Sequence, residues 1–472
     1  MGKEKMKRKI NLIVLVLLSC YLFACASAGN KSAKTALSRT APAVSVKKGV
    51  KPGESAKDAS HSDKKSPFKR LILDVISKHP QILKLKKAQN VSEQDVEIAK
   101  SGYAPVLDLS TSMGMEKTRN STTNDKLVYK HDVLKHSLII RQMLFDGNNV
   151  KSRIQKNRAL LERSYHDIQD GQENLALRAT DVYLDILRIQ QQISIAEENL
   201  TAHKEILDMV QTRYDNRLVS QADVAQVQGR VALAEAELTR NQNDLSNANM
   251  IFYELTDQRP GELIEPDSPG SMLPLDLNAA EIITMKSHPA ILGTIKTIDA
   301  VNASIEEAKS AFYPTVDLEL IGSRSDNSGG YSNSDQSYSA MVVTNWNIFR
   351  GKADEATLAR EKFRREQELE QLKETKRSLL RDLATAWETR KSRERELVYH
   401  KRHLDAAEKS YEAYKVQYQM GKQRTLFDLL NARSEFFVAR FSVIDIQFSI
   451  KSSEFRILAA MGKLVDYIKT AD

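Results

Sequence analysis

The sequence predicts an internally duplicated, mostly helical α+β protein, and two observations carry that prediction. Prolines mark two openings and leave long Pro-free stretches, because none lies between Pro105 and Pro260 and none follows Pro314. A segment at 99–109, AKSGYAPVLDL, also recurs at 308–318 as AKSAFYPTVDL. Ordered matches at a constant offset indicate that one structural unit occurs twice.

The N-terminus is predicted to be an export signal. Five basic residues precede an apolar run that is short for a spanning helix. Cleavage after Ala28 gives a signal peptide over 1–28 and removes both cysteines. Cleavage before Cys25, after a lipoprotein signal ending at residue 24, would instead expose a thiol for lipidation. In either case the mature chain has at most one cysteine, which excludes an internal disulfide and a cysteine-based metal site.

The basic charge of the chain is concentrated at its N-terminus. Of the net charge of +8, the segment 1–24 contributes +4 and the segment 31–67 contributes +6, so the remainder is weakly acidic. Residues 29–67 are rich in Lys, Ser and Ala without a hydrophobic period, which predicts a disordered basic linker. A basic total charge favours a nucleic-acid partner. This distribution argues against one, and we expect no nucleic-acid partner.

Each half is predicted to contain a helix, two strands and two long helices. Residues 148–215 lack proline and contain only Gly171, so a continuous helix there would be about 100 Å long. In the next helix, apolar residues recur in steps of three and four, interrupted only at Asn241, which is typical of a coiled-coil seam. Turns near Leu218 and Gly421 would make each pair of helices an antiparallel hairpin. The seam comprises Val224, Val227, Val231, Ala234, Leu238, Leu245, Ala248, Phe252 and Leu255.

The predicted strands follow Pro105 and Pro314 and precede Gly147 and Gly351. Apolar and polar residues alternate in them over about ten positions, as in strands of an outer-membrane barrel. Four strands cannot close a barrel, so strands in a membrane would have to be shared among several subunits. A soluble sheet on a periplasmic coiled-coil scaffold is the alternative. The alternating apolar residues are Val316, Leu318 and Leu320, and Tyr338, Ala340, Val342, Thr344, Trp346 and Ile348.

The predicted organisation has five parts. A signal peptide and the basic linker precede two structural repeats and a short tail. Their ranges are 1–28, 29–67, 68–265, 266–465 and 466–472.

From 68 to 465 the chain resembles the TolC-like outer-membrane efflux and secretion channels. The resemblance rests on the duplication, on Phe145-Asp146-Gly147 at a strand-to-helix turn, and on two hairpin-tip segments. These segments are 213–223, RYDNRLVSQAD, and 418–432, YQMGKQRTLFDLLNA. Both are most similar to the branch that serves type I secretion, including exporters of large adhesins. Arg217 departs from the family pattern, which usually has Gly there.

The resemblance implies a homotrimer in the outer membrane of a Gram-negative cell. Four strands per subunit would form one twelve-stranded β-barrel, continuous with a long α-helical coiled-coil barrel in the periplasm. The implied partners are a periplasmic adaptor (membrane fusion) protein and an inner-membrane ABC ATPase or proton-driven pump. The implied function is the outer-membrane channel of a tripartite type I secretion system. The alternatives are the outer component of a multidrug efflux pump and a non-channel periplasmic scaffold.

The resemblance also assigns candidate residues at the periplasmic tips. Asp428 and Asn431 match acidic ring positions at the tunnel constriction, and Asp223 matches the first-hairpin acid. Three copies of a carboxylate around one axis would favour cations or basic peptide segments, and Asn431 makes this ring less negative. Capping of a helix N-terminus is the alternative role for both aspartates. The positions implied in latching the tip or docking the adaptor are Tyr418, Gly421, Arg424, Thr425, Arg217 and Leu218.

The remaining motifs indicate structural roles. Gly147 and Gly351 are expected at strand-to-helix turns. His400 and His403 have a helical metal-ligand spacing, but no carboxylate or cysteine cluster accompanies them, so we expect a solvated face. No Ser/His/Asp order or phosphate-binding loop stands out. We therefore predict no catalytic residue, metal site or cofactor, and no enzymatic activity.

Overall fold

The computed structural model describes residues 66–470, with the exception of 120, 124, 331, 422 and 423. The predicted signal peptide, Cys25 and nearly all of the predicted basic linker lie outside the described residues.

The described chain consists mainly of helices and contains one β-sheet, which confirms the predicted mostly helical α+β class. The same order of elements occurs twice: two shorter helices, two strands, a helix of 67 residues, and a helix of 36 or 35 residues. In chain order the elements are α1 (Pro67–Lys78), α2 (Pro80–Ser101), β1 (Val106–Thr118), β2 (Val128–Phe145), α3 (Asn149–Asp215), α4 (Gln221–Thr256), α5 (Leu277–Ser287), α6 (Pro289–Lys309), β3 (Thr315–Asp326), β4 (Ser334–Asn345), α7 (Ala353–Gln419), α8 (Leu426–Ala460) and α9 (Leu464–Lys469).

The structure corrects the prediction of a single helix before each pair of strands. The chain breaks at His79 before Pro80, and again at His288 before Pro289, giving two helices each time. A residue that precedes proline is disfavoured in the helical conformation, so the first helix ends there. Each histidine then caps the next helix, since the Nδ1 atom of His79 accepts the N–H of Gln81 at 3.2 Å.

The end of one strand and the start of the C-terminal tail also differ from the predictions. Alternation predicted a strand continuing to Ile348, but β4 ends at Asn345, which pairs with Thr315 at the start of β3. Pro314 precedes Thr315 and has no N–H to continue the ladder. The predicted tail from residue 466 begins inside α9, whose apolar side chains are buried.

The long helices form the predicted hairpins. At 1.5 Å per residue, α3 and α7 are each about 100 Å long. All nine predicted seam residues of α4 are buried or half-buried. Asn241, the predicted interruption, is itself only 5% exposed. Its Nδ2 donates to the Glu237 carbonyl at 2.9 Å, so a satisfied polar group occupies the seam.

The four strands form one antiparallel sheet in the order β1–β2–β3–β4. Leu107, Ile140, Leu320 and Ala340 are directly opposite one another across the strands, and facing residues in a pair share one side of a sheet. The neighbouring row contains Arg141 and Glu319, which form an ion pair at 2.8 Å. The sheet therefore has one apolar side and one mainly polar side.

The helices nearest the sheet continue its strands in the same lateral order. Here α3 packs between α2 and α6, and α7 packs on the other side of α6. Farther from the sheet, α3 packs against α4 and α8, and α8 packs against α7. Within the described chain, β1 and α2 form one open edge of this layer, and β4 and α7 form the other.

Two large hydrophobic clusters of the described residues hold the helices together, and a third, small one joins Ala99 of α2 to Val150 and Ile154 of α3. The mid-helix cluster joins α1 and α9 to α3 and α8. In it, the centre of the Phe68 ring lies 5.0 Å from the centre of the Tyr183 ring and 5.6 Å from that of the Phe455 ring. The tip cluster lies where both hairpins turn. Among the described residues, no helix combines the length and apolar character that crossing a membrane requires.

Candidate functional site at the hairpin tips

The two hairpin tips form one packed unit. Val210 at the end of α3 and Val227 at the start of α4 belong to the same buried cluster as Tyr418, Leu429 and Leu430 of the second hairpin. All five side chains are 5% exposed or less. The tips predicted from two separate segments are therefore brought together through an apolar core.

The candidate acids, Asp223 and Asp428, occupy equivalent positions in two capping boxes. Asp223 Oδ2 accepts the Ser220 N–H at 2.9 Å, and the Asp223 N–H is bound by the Ser220 hydroxyl. Asp428 Oδ2 accepts the Thr425 N–H at 3.0 Å, and the Thr425 hydroxyl again completes the box. These bonds hold the pKa of the Asp428 carboxyl below its usual value, the backbone bond contributing most. Both aspartates stabilise helix starts that shape the tips.

Both turns use left-handed backbone geometry. Gly421 has a φ of +69°, and Arg217, the departure from the family pattern, has a φ of +59°. The Leu218 N–H donates to the Arg213 carbonyl and the Arg217 N–H donates to the Tyr214 carbonyl, both at 2.8 Å. This is the helix ending in which glycine is usual, so Arg217 adopts the glycine conformation at an energetic cost.

Arg213 joins the first tip to the second. Its Nη2 donates to the backbone carbonyl of Tyr418 at 2.7 Å and to that of Gln419 at 3.2 Å. Its guanidinium carbon also lies 4.3 Å above the centre of the Tyr418 ring. Arg213 lies in a predicted tip segment, but this role was not predicted, because backbone carbonyls as partners leave no trace in side-chain patterns.

Arg424 makes its contacts within its own hairpin. Its Nε donates to Gln417 Oε1 at 3.1 Å, and the guanidinium lies 4.1 Å from the centre of the Tyr414 ring. Leu218 is 74% exposed, and Asn431 is exposed one turn after Asp428. These exposed positions are available to a partner, whereas Tyr418 is 5% exposed and belongs to the contact between the tips.

A buried polar cluster lies beyond the tips between α3 and α8. Arg433 is 5% exposed, and its Nε donates to Asn199 Oδ1 at 3.0 Å. Burial, together with the charge of Arg433, lowers the pKa of His203 to about 4, so this imidazole is neutral near pH 7. Arg433 lies a helical step after Leu429 and Leu430 in the sequence, and this apolar-face position is the signal that could have indicated its burial.

Gly147 and Gly351 lie in the turns from β2 to α3 and from β4 to α7. Their φ values are +65° and +59°, and each is followed by a residue that is also left-handed, Asn148 and Lys352. A Cβ on Gly147 would lie 2.8 Å from the Ser310 carbonyl oxygen, whereas the space around Gly351 is open.

The described residues contain no cluster of three or more His, Cys, Asp or Glu side chains suited to a metal ion. His403 instead faces Glu435, with its Nε2 3.1 Å from Glu435 Oε1.

Comparisons with known proteins agree with the fold. The family model described as outer membrane efflux protein matches residues 71–256 and 284–463. Outer membrane efflux protein BepC of Brucella suis is 21% identical over 375 residues, covering 79% of this chain and 80% of its own length. Outer membrane protein TolC of Escherichia coli K12 is 21% identical over 406 residues, covering 82% and 80%.

A solved structure has the same fold. The CmeC outer membrane channel of Campylobacter jejuni superposes with a TM-score of 0.72 at 15% identity, over 84% of this chain and 86% of that one. The chain belongs to the outer membrane efflux protein family and is a TolC-like channel protein of the cell outer membrane.

Proposed function

We propose that three copies of this chain form the outer-membrane channel of a tripartite type I secretion system. In this proposal the sheets form one twelve-stranded barrel, and the duplicated hairpins form a periplasmic tunnel that meets an adaptor protein. An inner-membrane ABC ATPase or proton-driven pump supplies the energy.

The observation that carries the proposal is the pair of open edges. The sheet and the helices beside it are layered in the same order, so β1 with α2 and β4 with α7 are free on opposite sides. An open sheet edge in lipid leaves unpaired N–H and C=O groups, and each of them costs roughly several kcal/mol of free energy. Pairing β1 of one copy with β4 of the next closes both layers with the same contact.

The two sides of the sheet support placement in a membrane. Leu107, Leu109 and Val342 are 62%, 74% and 64% exposed on the single chain. Such apolar exposure is unfavourable in water and favourable against lipid. The opposite side contains the Arg141–Glu319 ion pair, which suits a water-filled interior.

At the tips, we propose that Asp428, Asn431 and Asp223 surround the periplasmic constriction. In Asp428 and Asp223 one carboxylate oxygen is used for capping, and the charge remains for the tunnel. The surface offered to the adaptor comprises Arg217, Leu218, Gly421, Arg424 and Thr425. Tyr418 acts in the latch between the tips.

We propose protein as the cargo, including large adhesins, on the similarity of the tip segments to the secretion branch. The second candidate is the outer component of a multidrug efflux pump, which the description of BepC as an efflux protein favours.

Two experiments test these proposals. Purified protein should be trimeric by mass in detergent and should conduct ions in planar bilayers; a monomer without conductance would refute the channel. In the source bacterium, deletion of the gene should remove a large protein from the cell surface or medium while drug susceptibility is unchanged. A rise in drug susceptibility with normal secretion would instead support the efflux candidate.

A further inference from the structure

The two open helical edges carry complementary stripes. On α2, the exposed residues Leu83, Lys87, Val91, Gln94 and Ile98 recur in steps of three and four. Such residues form one line along a helix. Leu83, Val91 and Ile98 are 45%, 61% and 60% exposed, which is unusual for apolar side chains on a helix whose other side is well packed.

A matching line runs along the first part of α7. Ala359, Phe363, Glu366, Glu370 and Lys373 are exposed and follow at steps of four, three, four and three. Phe363 is 69% exposed. The opposite side of this part of α7 faces α6. Glu361 lies on that side and is 6% exposed.

Contacts across the layer fix the relative heights of the two stripes. Asn157 of α3 donates from Nδ2 to the Asp95 carbonyl of α2 at 3.1 Å. Asn157 is the ninth residue of α3, and Glu361 is the ninth residue of α7. Both helices begin directly after a strand of the sheet. Asp95 and Glu361 are therefore at about the same distance from the sheet.

The two helices run in opposite directions, because α2 leads into β1 and α7 leads out of β4. Lys87 precedes Asp95 by eight residues and so lies about 12 Å farther from the sheet, as does residue 369 on α7. That height falls between Glu366 and Glu370. At the same rise per residue, the distance of Phe363 from the sheet falls between the distances of Val91 and Ile98.

We infer that α2 of one copy packs directly against α7 of the next in this register, with Phe363 between Val91 and Ile98 and Lys87 between Glu366 and Glu370. The partner is a second copy of this chain, and the inference rests on the proposed trimer. Neither Lys87 nor Glu366 forms an ion pair within the described ranges, so both charges are available, whereas Glu370 Oε1 accepts a hydrogen bond from Lys373 Nζ of its own helix at 2.7 Å. Covering the apolar residues supplies stability, and the charge arrangement fixes the register.

Cysteine crosslinking tests the register on the full-length protein in detergent. The double variant Val91→Cys/Phe363→Cys should give covalent dimers and trimers with a short bismaleimide. Crosslinks within one chain are excluded, because α3 and α6 separate the two helices by three interhelical spacings of about 8–10 Å each. The control Val91→Cys/Arg377→Cys moves the second thiol about 21 Å along α7 and should give no such products.

Charge reversal tests the specificity of the same contact. Lys87→Glu should lower the temperature at which the trimer dissociates, and adding Glu366→Lys and Glu370→Lys should restore it. A trimer by mass that fails to crosslink at 91 and 363, or that crosslinks at 91 and 377, would overturn this register while leaving the channel proposal in place. A monomer by mass would refute the proposed trimer itself.

Discussion

The Arg213 guanidinium lies 4.3 Å above the Tyr418 ring and donates to the Tyr418 carbonyl at 2.7 Å. This contact connects the ends of the two hairpins. The Tyr418 hydroxyl, in contrast, is buried without a hydrogen-bond partner among the described residues. The latch therefore uses the ring and backbone of Tyr418, and Arg213 provides the cation.

Arg213→Ala should weaken the interaction between the two tips by about 2 kcal/mol, because it removes a charged hydrogen bond and a cation–π contact. In planar bilayers we expect a larger or more frequently open conductance. Tyr418→Phe is the matched control, because it keeps the ring and removes only an unpaired hydroxyl. Arg424→Ala, which changes contacts within one hairpin, should also leave the conductance close to that of the wild type. Equal effects of Arg213→Ala and Arg424→Ala would contradict this assignment.

Asp428→Asn and Asp428→Ala should separate the charge of this residue from its capping role. Asparagine still accepts the Thr425 N–H, so the start of α8 should remain intact while cation preference declines. Alanine removes both functions and should also make the tip more sensitive to protease. If asparagine leaves the reversal potential in a salt gradient unchanged, the Asp428 charge does not set selectivity. Because the pKa of Asp428 is lowered, capping should weaken as pH falls below its usual value of 3.8.

Gly147→Ala should be more damaging than Gly351→Ala, although the two turns have similar φ values. Both variants place a side chain in left-handed geometry, which costs about 1 kcal/mol. Only at Gly147 does the new Cβ also meet the Ser310 carbonyl oxygen at 2.8 Å, for a total of about 3 kcal/mol. Urea unfolding followed by circular dichroism would measure the difference, and equal losses would be evidence against this close packing.

Glu173 should make stability depend on pH. Its carboxylate accepts the N–H groups of Leu464 and Val465 at the start of α9, yet burial raises its pKa from 4.5 to about 7. The folded state thus favours the protonated acid. The contribution of this neutral carboxyl to the free energy of unfolding is complete below pH 4.5 and is lost as pH rises through about 7. The loss amounts to about 3 kcal/mol at most.

Glu173→Gln cannot ionise, so its stability relative to the wild type should increase between pH 4.5 and pH 8. Melting temperatures of both proteins across this range would provide the test. A constant difference would show that the Glu173 carboxyl titrates near its usual value in the folded protein.

Local sequence patterns determined much of this architecture. The steps of three and four in α4, the Pro-free run of α3 and the alternation in β3 each depend on neighbouring residues along one chain, and all three elements form where predicted. Capping as a role for Asp223 and Asp428 could also be read from the sequence, because a capping box spans only four residues. The breaks at Pro80 and Pro289 follow from the local effect of proline on the preceding residue, so they too are determined by neighbours along the chain.

Tertiary structure alone decided how distant segments meet. The contact of Arg213 with Tyr418 joins positions 205 residues apart and uses backbone carbonyls, which carry no sequence signature. The burial of Arg433 beside Asn199 likewise depends on the packing of α8 against α3. The sequence by itself determined long helices, amphipathic strands and two equivalent tips, since these follow from local periodicity. Only the folded chain showed that sheet and helices share one lateral order with two free edges, because lateral order arises from contacts between elements.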